Sequence, residues 1–110
     1  MGYQSVFRPG LFEGQTILIT GGGTGIGRCT AFELSSLGAR VALVGRRPER
    51  LEQVAREITE DGGVVSIHPC DIRDEDGVRG FVRDVLDQHG RIDGLVNNAG
   101  GQYAGRLRDM

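Results

Sequence analysis

The stretch Thr20-Gly21-Gly22-Gly23-Thr24-Gly25-Ile26-Gly27 constrains this chain more than any other. An apolar run, Thr16–Ile19, precedes it, and a helical apolar pattern running to Leu37 follows. Glycine permits positive φ and lets the backbone come close to a ligand. The first N–H groups of the following helix have no partners inside the helix and point at whatever sits before it, and the helix dipole favours an anion there. Strand, glycine turn and helix together build a phosphate cradle, and a dinucleotide pyrophosphate is the guest it fits. The spacing is Gly-x-x-x-Gly-x-Gly, which departs from the common Gly-x-Gly-x-x-Gly fingerprint.

The rest of the chain repeats the alternation. Residues 1–14 read as an irregular arm with Pro9-Gly10 as a turn signal, and residues 15–110 as a partial dinucleotide-binding Rossmann domain. Strand one is expected over Gln15–Thr20, helix one over Gly25–Leu37 with Gly38 closing it, and strand two over Arg40–Gly45. Pro48 suits a helix start, because its missing N–H costs nothing there. Leu51, Val54, Ala55 and Ile58 then fall on one helical face, and Asp61-Gly62-Gly63 ends that helix. Strand three is expected over Val64–His68. Asp74 can cap a third helix with a buried stripe of Val78, Phe81, Val82, Val85 and Leu86, and Gly90 stops it. Strand four lies within Ile92–Asn97, followed by another glycine turn.

The pattern β-α-β-α-β-α-β implies an α/β fold, a three-layer Rossmann-type parallel sheet. If strand four returns beside strand one, the order is 3-2-1-4, with helices one and two on one face and helix three on the other. The switch point then lies between strands one and four, where two glycine turns converge and where an open α/β sheet binds its ligand.

Composition narrows the classes. One domain at most fits in 110 residues. The net charge of −2, with no basic block, argues against a nucleic-acid partner. No apolar run approaches the roughly 20 residues needed to span a bilayer, and Met1–Gly14 is no secretory signal. Cys29 and Cys70 form no CxxC pair and read as reduced thiols of a cytoplasmic protein. His68 and His89 have no partners at metal-ligand spacing and read as structural, so no metal is expected.

Several positions carry chemistry. Thr20 and Thr24 can add hydroxyl hydrogen bonds to phosphate or backbone. Strand two ends in Val44-Gly45-Arg46-Arg47, where NAD-selective folds place an acid for the ribose hydroxyls. Two guanidiniums stand there instead, and a planar, permanently charged fork suits a 2′-phosphate. That favours NADP over NAD, although two arginines can also simply solubilise a loop. Asp71, after strand three, can accept from an adenine amino group or can cap a turn. Asn97-Asn98-Ala99-Gly100 can tie strand ends together and leave room for a cofactor, or can be an Asx-type turn.

Taken together and in order, Thr20-Gly-x-x-x-Gly25-Ile26-Gly27, Arg46, Asp71-Ile72 and Asn97-Asn98-Ala99-Gly100 resemble the short-chain dehydrogenase/reductase family, over nearly all of Gln15–Gly101. The resemblance implies that Gly21, Gly23, Thr24, Gly25, Ile26 and Gly27 line the pyrophosphate and that Arg46, with Arg47 beside it, meets the 2′-phosphate. It implies that Asp71 and the Ile72 backbone hold adenine. Asn98, Ala99 and Gly100 pass along the ribose, and Asn97 braces the central strands. The stretches Phe7–Gly14 and Gly100–Tyr103 also look like the subgroup near the enoyl- and dienoyl-CoA reductases. The implied activity is hydride transfer between NADP(H) and a carbonyl, alcohol or enoyl substrate, in a homo-oligomer.

The family's reaction needs a Ser and a Tyr-x-x-x-Lys pair. This chain has no Lys, its tyrosines are Tyr3 and Tyr103, and its serines, Ser5, Ser35, Ser36 and Ser66, all precede strand four. No catalytic residue is therefore assigned. The expectation is a truncated cofactor-binding half, inactive and marginally stable alone; the alternative is a non-catalytic dinucleotide-binding module.

Overall fold

β-Branched and leucine-rich runs make the first three strands of this protein, and glycine or proline ends each of them. The computed structural model describes residues 7–23 and 25–98. Its elements are β1 (Thr16–Thr20), α1 (Gly25–Ser36), β2 (Arg40–Gly45), α2 (Pro48–Glu60), β3 (Val64–Pro69), α3 (Glu75–His89) and β4 (Gly94–Val96). The strand order is β3-β2-β1-β4, and every pairing is parallel. This is the expected β-α-β-α-β-α-β arrangement with order 3-2-1-4. β1 begins one residue later than its pattern suggests, α1 ends one residue earlier, and β3 runs on to Pro69.

A parallel sheet is covered on both faces, so its central strands are apolar without alternation. β1 is buried at all five positions, and Val41–Val44 of β2 are buried throughout. On one face Ile17, Ile19, Val41 and Leu43 pack with Ala31 of α1 and Leu51, Val54 and Ile58 of α2. On the other, Leu18, Ala42 and Val44 pack with Phe81 and Val85 of α3. Helices one and two thus share a face and helix three takes the opposite one. Truncating a fully buried side chain such as Leu43 to Ala costs about 2–5 kcal/mol.

The stripe of α3 is narrower than its sequence suggests. Phe81 and Val85 are buried and Val78 and Val82 are partly so, but Leu86 is 44% exposed. Leu95, paired with Leu18 on that face, is 63% exposed. Among the described residues α3 is the one helix on this face, and the β4 end of the face is exposed.

Local chemistry fixes the ends. Asp74 caps α3 by accepting from the Asp76 N–H at 3.1 Å, and Gly90 (φ 79°) returns its N–H to the Leu86 carbonyl. Arg28 of α1 pairs with Glu57 of α2 at 2.5 Å and lies over the Phe32 ring at 4.8 Å. In the arm, residues 7–14 form turns, and the Phe12 N–H donates to the Leu37 carbonyl at 2.9 Å. Phe12 also packs on the α1/α2 core. The arm's first six residues and the tail from residue 99 lie outside the described residues.

Candidate dinucleotide site

Parallel strands present their carbonyl ends together, and the crossover to β4 leaves a crevice where β1 and β4 part. The glycine turn leaves β1 there. Gly21 has φ 67° and Gly25 φ 50°, a region an L side chain rarely enters. The Gly21 N–H donates to the Val44 carbonyl at 2.8 Å, which folds the turn back over the end of β2. Gly27, the third residue of α1, lies against the turn itself. A Cβ there would overlap the Gly21 carbonyl oxygen and stand 2.8 Å from its carbon and 2.9 Å from Asn98 Nδ2. A Cβ at Gly22 would stand 2.8 Å from Leu43 Cδ2, and one at Gly23 2.9 Å from Arg50 Cβ. Close packing therefore favours glycine most strongly at Gly27, where the obstacle is backbone, and conformation favours it at Gly21 and Gly25.

This geometry fits a pyrophosphate. The first turn of α1 contains no acidic residue, so no carboxylate of that turn repels an anion from its N–H groups. Ile26 in that turn is 74% exposed, an apolar side chain at the rim. Thr24, Ala99 and Gly100 lie outside the described residues.

Thr20 joins the two turns. Its hydroxyl accepts from the Asn98 N–H at 2.8 Å and can donate to Asn97 Oδ1 at 3.1 Å or to the Val96 carbonyl at 3.4 Å. Sequence reasoning offered Thr20 to phosphate or backbone; the structure engages it with the asparagine turn. At the other end of the same seam, Asp93 Oδ2 accepts from the Thr16 N–H at 2.8 Å, and the Arg91 fork grips the same carboxylate. The Arg91 fork first, and then the Thr16 N–H, hold the Asp93 carboxyl below its usual range. This anchor carried no motif signal; an acid just before a short apolar run was its only trace.

Arg46 and Arg47 are exposed, and among the described residues neither has an ion-pair partner. Arg47 is the N-cap of α2 and makes no side-chain cap bond. Asp71 closes a turn and binds Arg73. Its Oδ1 accepts from the Arg73 N–H at 3.0 Å, an Asx-type turn closure. Arg73 Nε and Nη2 also fork onto the carboxylate, at 3.1 Å to Oδ1 and 2.9 Å to Oδ2. These bonds, with a smaller contribution from the Arg46 charge, lower the Asp71 pKa to about 2. The Ile72 side chain packs toward the α3 face.

The two histidines are structural in a way their spacing did not reveal. Ser66 Oγ lies 2.8 Å from His68 Nε2 and 2.9 Å from His89 Nε2. Ser66 and His68 share one face of β3, and only the fold brings the end of α3 to them. Among the described residues no cluster of His, Cys, Asp or Glu could hold a metal ion, and no helix is long and apolar enough to cross a membrane.

Comparison with known proteins bears on the family and the fold. The short chain dehydrogenase family model matches residues 15–110. A citronellol catabolism dehydrogenase of Pseudomonas aeruginosa PAO1 superposes with a TM-score of 0.86 at 62% identity, covering 91% of this chain and 42% of that one. A metagenomic short-chain oxidoreductase in complex with NADP gives a TM-score of 0.78 at 46% identity over 90% of this chain and 45% of its own. An NAD+-bound xylitol dehydrogenase gives 0.81 at 38% identity over 84% and 35%. Among curated relatives, a probable 2,4-dienoyl-CoA reductase of Caenorhabditis elegans is 42% identical over 89% of this chain and 32% of its own length. The chain thus spans about a third of the curated relatives it matches.

Proposed function

The chain belongs to the short-chain dehydrogenase/reductase family, and from that premise we propose that it is the NADP-holding part of an oxidoreductase acting on a carbonyl, alcohol or enoyl substrate. Bound NADP(H) would supply or accept the hydride. The residues of this chain bind and orient it. The glycine turn and the first turn of α1 seat the pyrophosphate, Asp71 meets adenine, and Asn98 passes along the ribose. The observation that carries the NADP preference is the pair of exposed guanidiniums, Arg46 and Arg47, where an acid would serve NAD. An enoyl-CoA substrate is supported by the similarity to the dienoyl-CoA reductases. A small-molecule substrate and a homo-oligomer complete the reading, and the free thiols of Cys29 and Cys70 suit the cytoplasm.

No proton-transferring group is assigned, since the chain carries no Lys to pair with a tyrosine. We therefore infer that the 110-residue chain binds dinucleotide without turning substrate over. The second reading is a non-catalytic dinucleotide-binding module. Sequencing downstream of the Met110 codon separates them: an open frame encoding Ser and Tyr-x-x-x-Lys supports the reductase, and a stop codon the module. The cofactor assignment is tested by calorimetric titration of the chain with NADPH and NADH. NADPH should bind more tightly, and Arg46→Gln should remove most of the difference. Tighter NADH binding would overturn the assignment.

A further inference from the structure

β2 and β3 end side by side. Gly45 is in register with Pro69, and the Cys70 N–H donates to the Gly45 carbonyl at 2.8 Å, so the pairing runs one residue past the strand. Arg46 and Asp71 therefore emerge from adjacent strand ends. An acid in that place works against the NADP assignment. It attracts Arg46 and repels a 2′-phosphate, which brings close to two negative charges. Arg73 answers this. Its backbone N–H and its guanidinium both bind the Asp71 carboxylate, and the Asp74 N–H closes the same turn on the Asp71 carbonyl at 3.0 Å.

We propose that Arg73 is a specificity-determining positioning residue: by neutralising Asp71 it leaves Arg46 free to attract a 2′-phosphate, so that the choice of NADP over NAD depends on a residue that need not touch the cofactor. The inference rests on the reading of Arg46 as the phosphate partner. With Arg73 in place the three side chains Arg46, Asp71 and Arg73 sum to one positive charge. Without it they sum to zero, and a cofactor bearing the extra phosphate loses attraction that NAD never had. The Asp71 carboxyl responds to both cations, more strongly to Arg73. Arg73 is 76% exposed and Asp71 37%, so solvent screens the effect. A doubly charged phosphate several ångströms from one lost charge in water corresponds to roughly a three- to tenfold change in binding.

The test is the ratio of NADH to NADPH dissociation constants, measured calorimetrically at low salt on the 110-residue chain and its variants. Arg73→Gln should lower the ratio roughly three- to tenfold, mostly through weaker NADPH binding. Arg73→Lys should keep most of it, because it restores the charge without the fork. Adding Asp71→Asn to Arg73→Gln should restore the ratio, since no acid then remains to be neutralised. At 1 M salt the difference between wild type and Arg73→Gln should largely vanish. Equal weakening of both cofactors by Arg73→Gln would mean a merely structural turn residue and overturn the proposal. So would an unchanged ratio in a chain whose Arg46→Gln variant loses its preference. If Arg46→Gln leaves the ratio unchanged, or if neither dinucleotide binds, the underlying cofactor reading fails and this inference fails with it.

Discussion

Gly27→Ala adds one methyl group at the point where α1, the glycine turn and Asn98 meet. The new Cβ would overlap the Gly21 carbonyl oxygen and lie 2.8 Å from the Gly21 carbon. Relaxed carbon contacts are about 3.5–4.0 Å, so the turn and the helix must separate by at least roughly 0.7 Å. The obstacle is backbone, itself held by the Gly21 N–H bond to Val44, and cannot swing aside as a side chain would. Overpacking of this kind costs about 1–3 kcal/mol, and the better helix propensity of Ala returns up to about 1 kcal/mol. A net loss of about 1–2 kcal/mol corresponds to a fall in Tm of roughly 4–16 °C for a domain of this size. Gly80→Ala is the matched control: it makes the same chemical change inside α3, where a Cβ meets nothing within 4 Å. There only the propensity term acts, and Tm should rise by roughly 2–8 °C. Thermal melts of both variants, with NADPH titrations, read the contrast. A Gly27→Ala chain that melts no lower than wild type and binds NADPH as well would refute the argument that the site is built on that contact.

Thr20→Val keeps the shape of the side chain but leaves the Asn98 N–H and Asn97 Oδ1 without the hydroxyl, and should cost about 1–3 kcal/mol in denaturant unfolding. A loss below 0.5 kcal/mol, on the order of an ordinary surface change, would show that water replaces the hydroxyl without cost. Stability should also fall as the solution becomes mildly acidic. Burial lowers the pKa of His68, with Asp84 opposing and His89 assisting; burial and then the Arg40 charge lower that of His89. The unfolded chain therefore binds more protons just below the ordinary histidine pKa of about 6.5. Tm should be flat from neutrality up to the range where thiols ionise and drop as pH falls through the histidine value, and His68→Gln should flatten the acid slope. Finally, Leu95→Lys should reduce self-association in light scattering while shifting stability by no more than about 0.5 kcal/mol, because Leu95 is largely exposed.

The fold was legible because its punctuation is local. Gly38, Pro48, Gly62 and Gly90 each mark an element end by a backbone requirement that needs no tertiary partner, whereas the order 3-2-1-4 is conditional on strand four returning beside strand one, as it does. What the sequence hid was set by register. Ser66 and His68 can be placed on one strand face, but His89 joins them only because α3 runs back along the sheet. Leu86 continues an apolar helical face, yet it is 44% exposed. Asp71 and Arg73 are two residues apart, but whether such a pair forms a fork depends on the turn between them. Thr20 could serve phosphate or backbone from its sequence alone, and the backbone it meets lies 76–78 residues later in the chain.

That last separation also orders assembly in time. β1 pairs with β2, and β2 with β3, through residues 24 apart in the chain, whereas Ile17 and Gly94 are 77 apart. Closing the longer loop costs about 1 kcal/mol more. Three strands can therefore zip together before the three-residue β4 has anything to gain by docking. The β4 seam, held by Thr20 at one end and Asp93 at the other, is the last to close and the first to open. Its amides should exchange hydrogen sooner than those of β2. A dinucleotide reaching from the glycine turn to the asparagine turn would act as a clasp across that seam, so binding would slow exchange most in the strand that contributes least to the core.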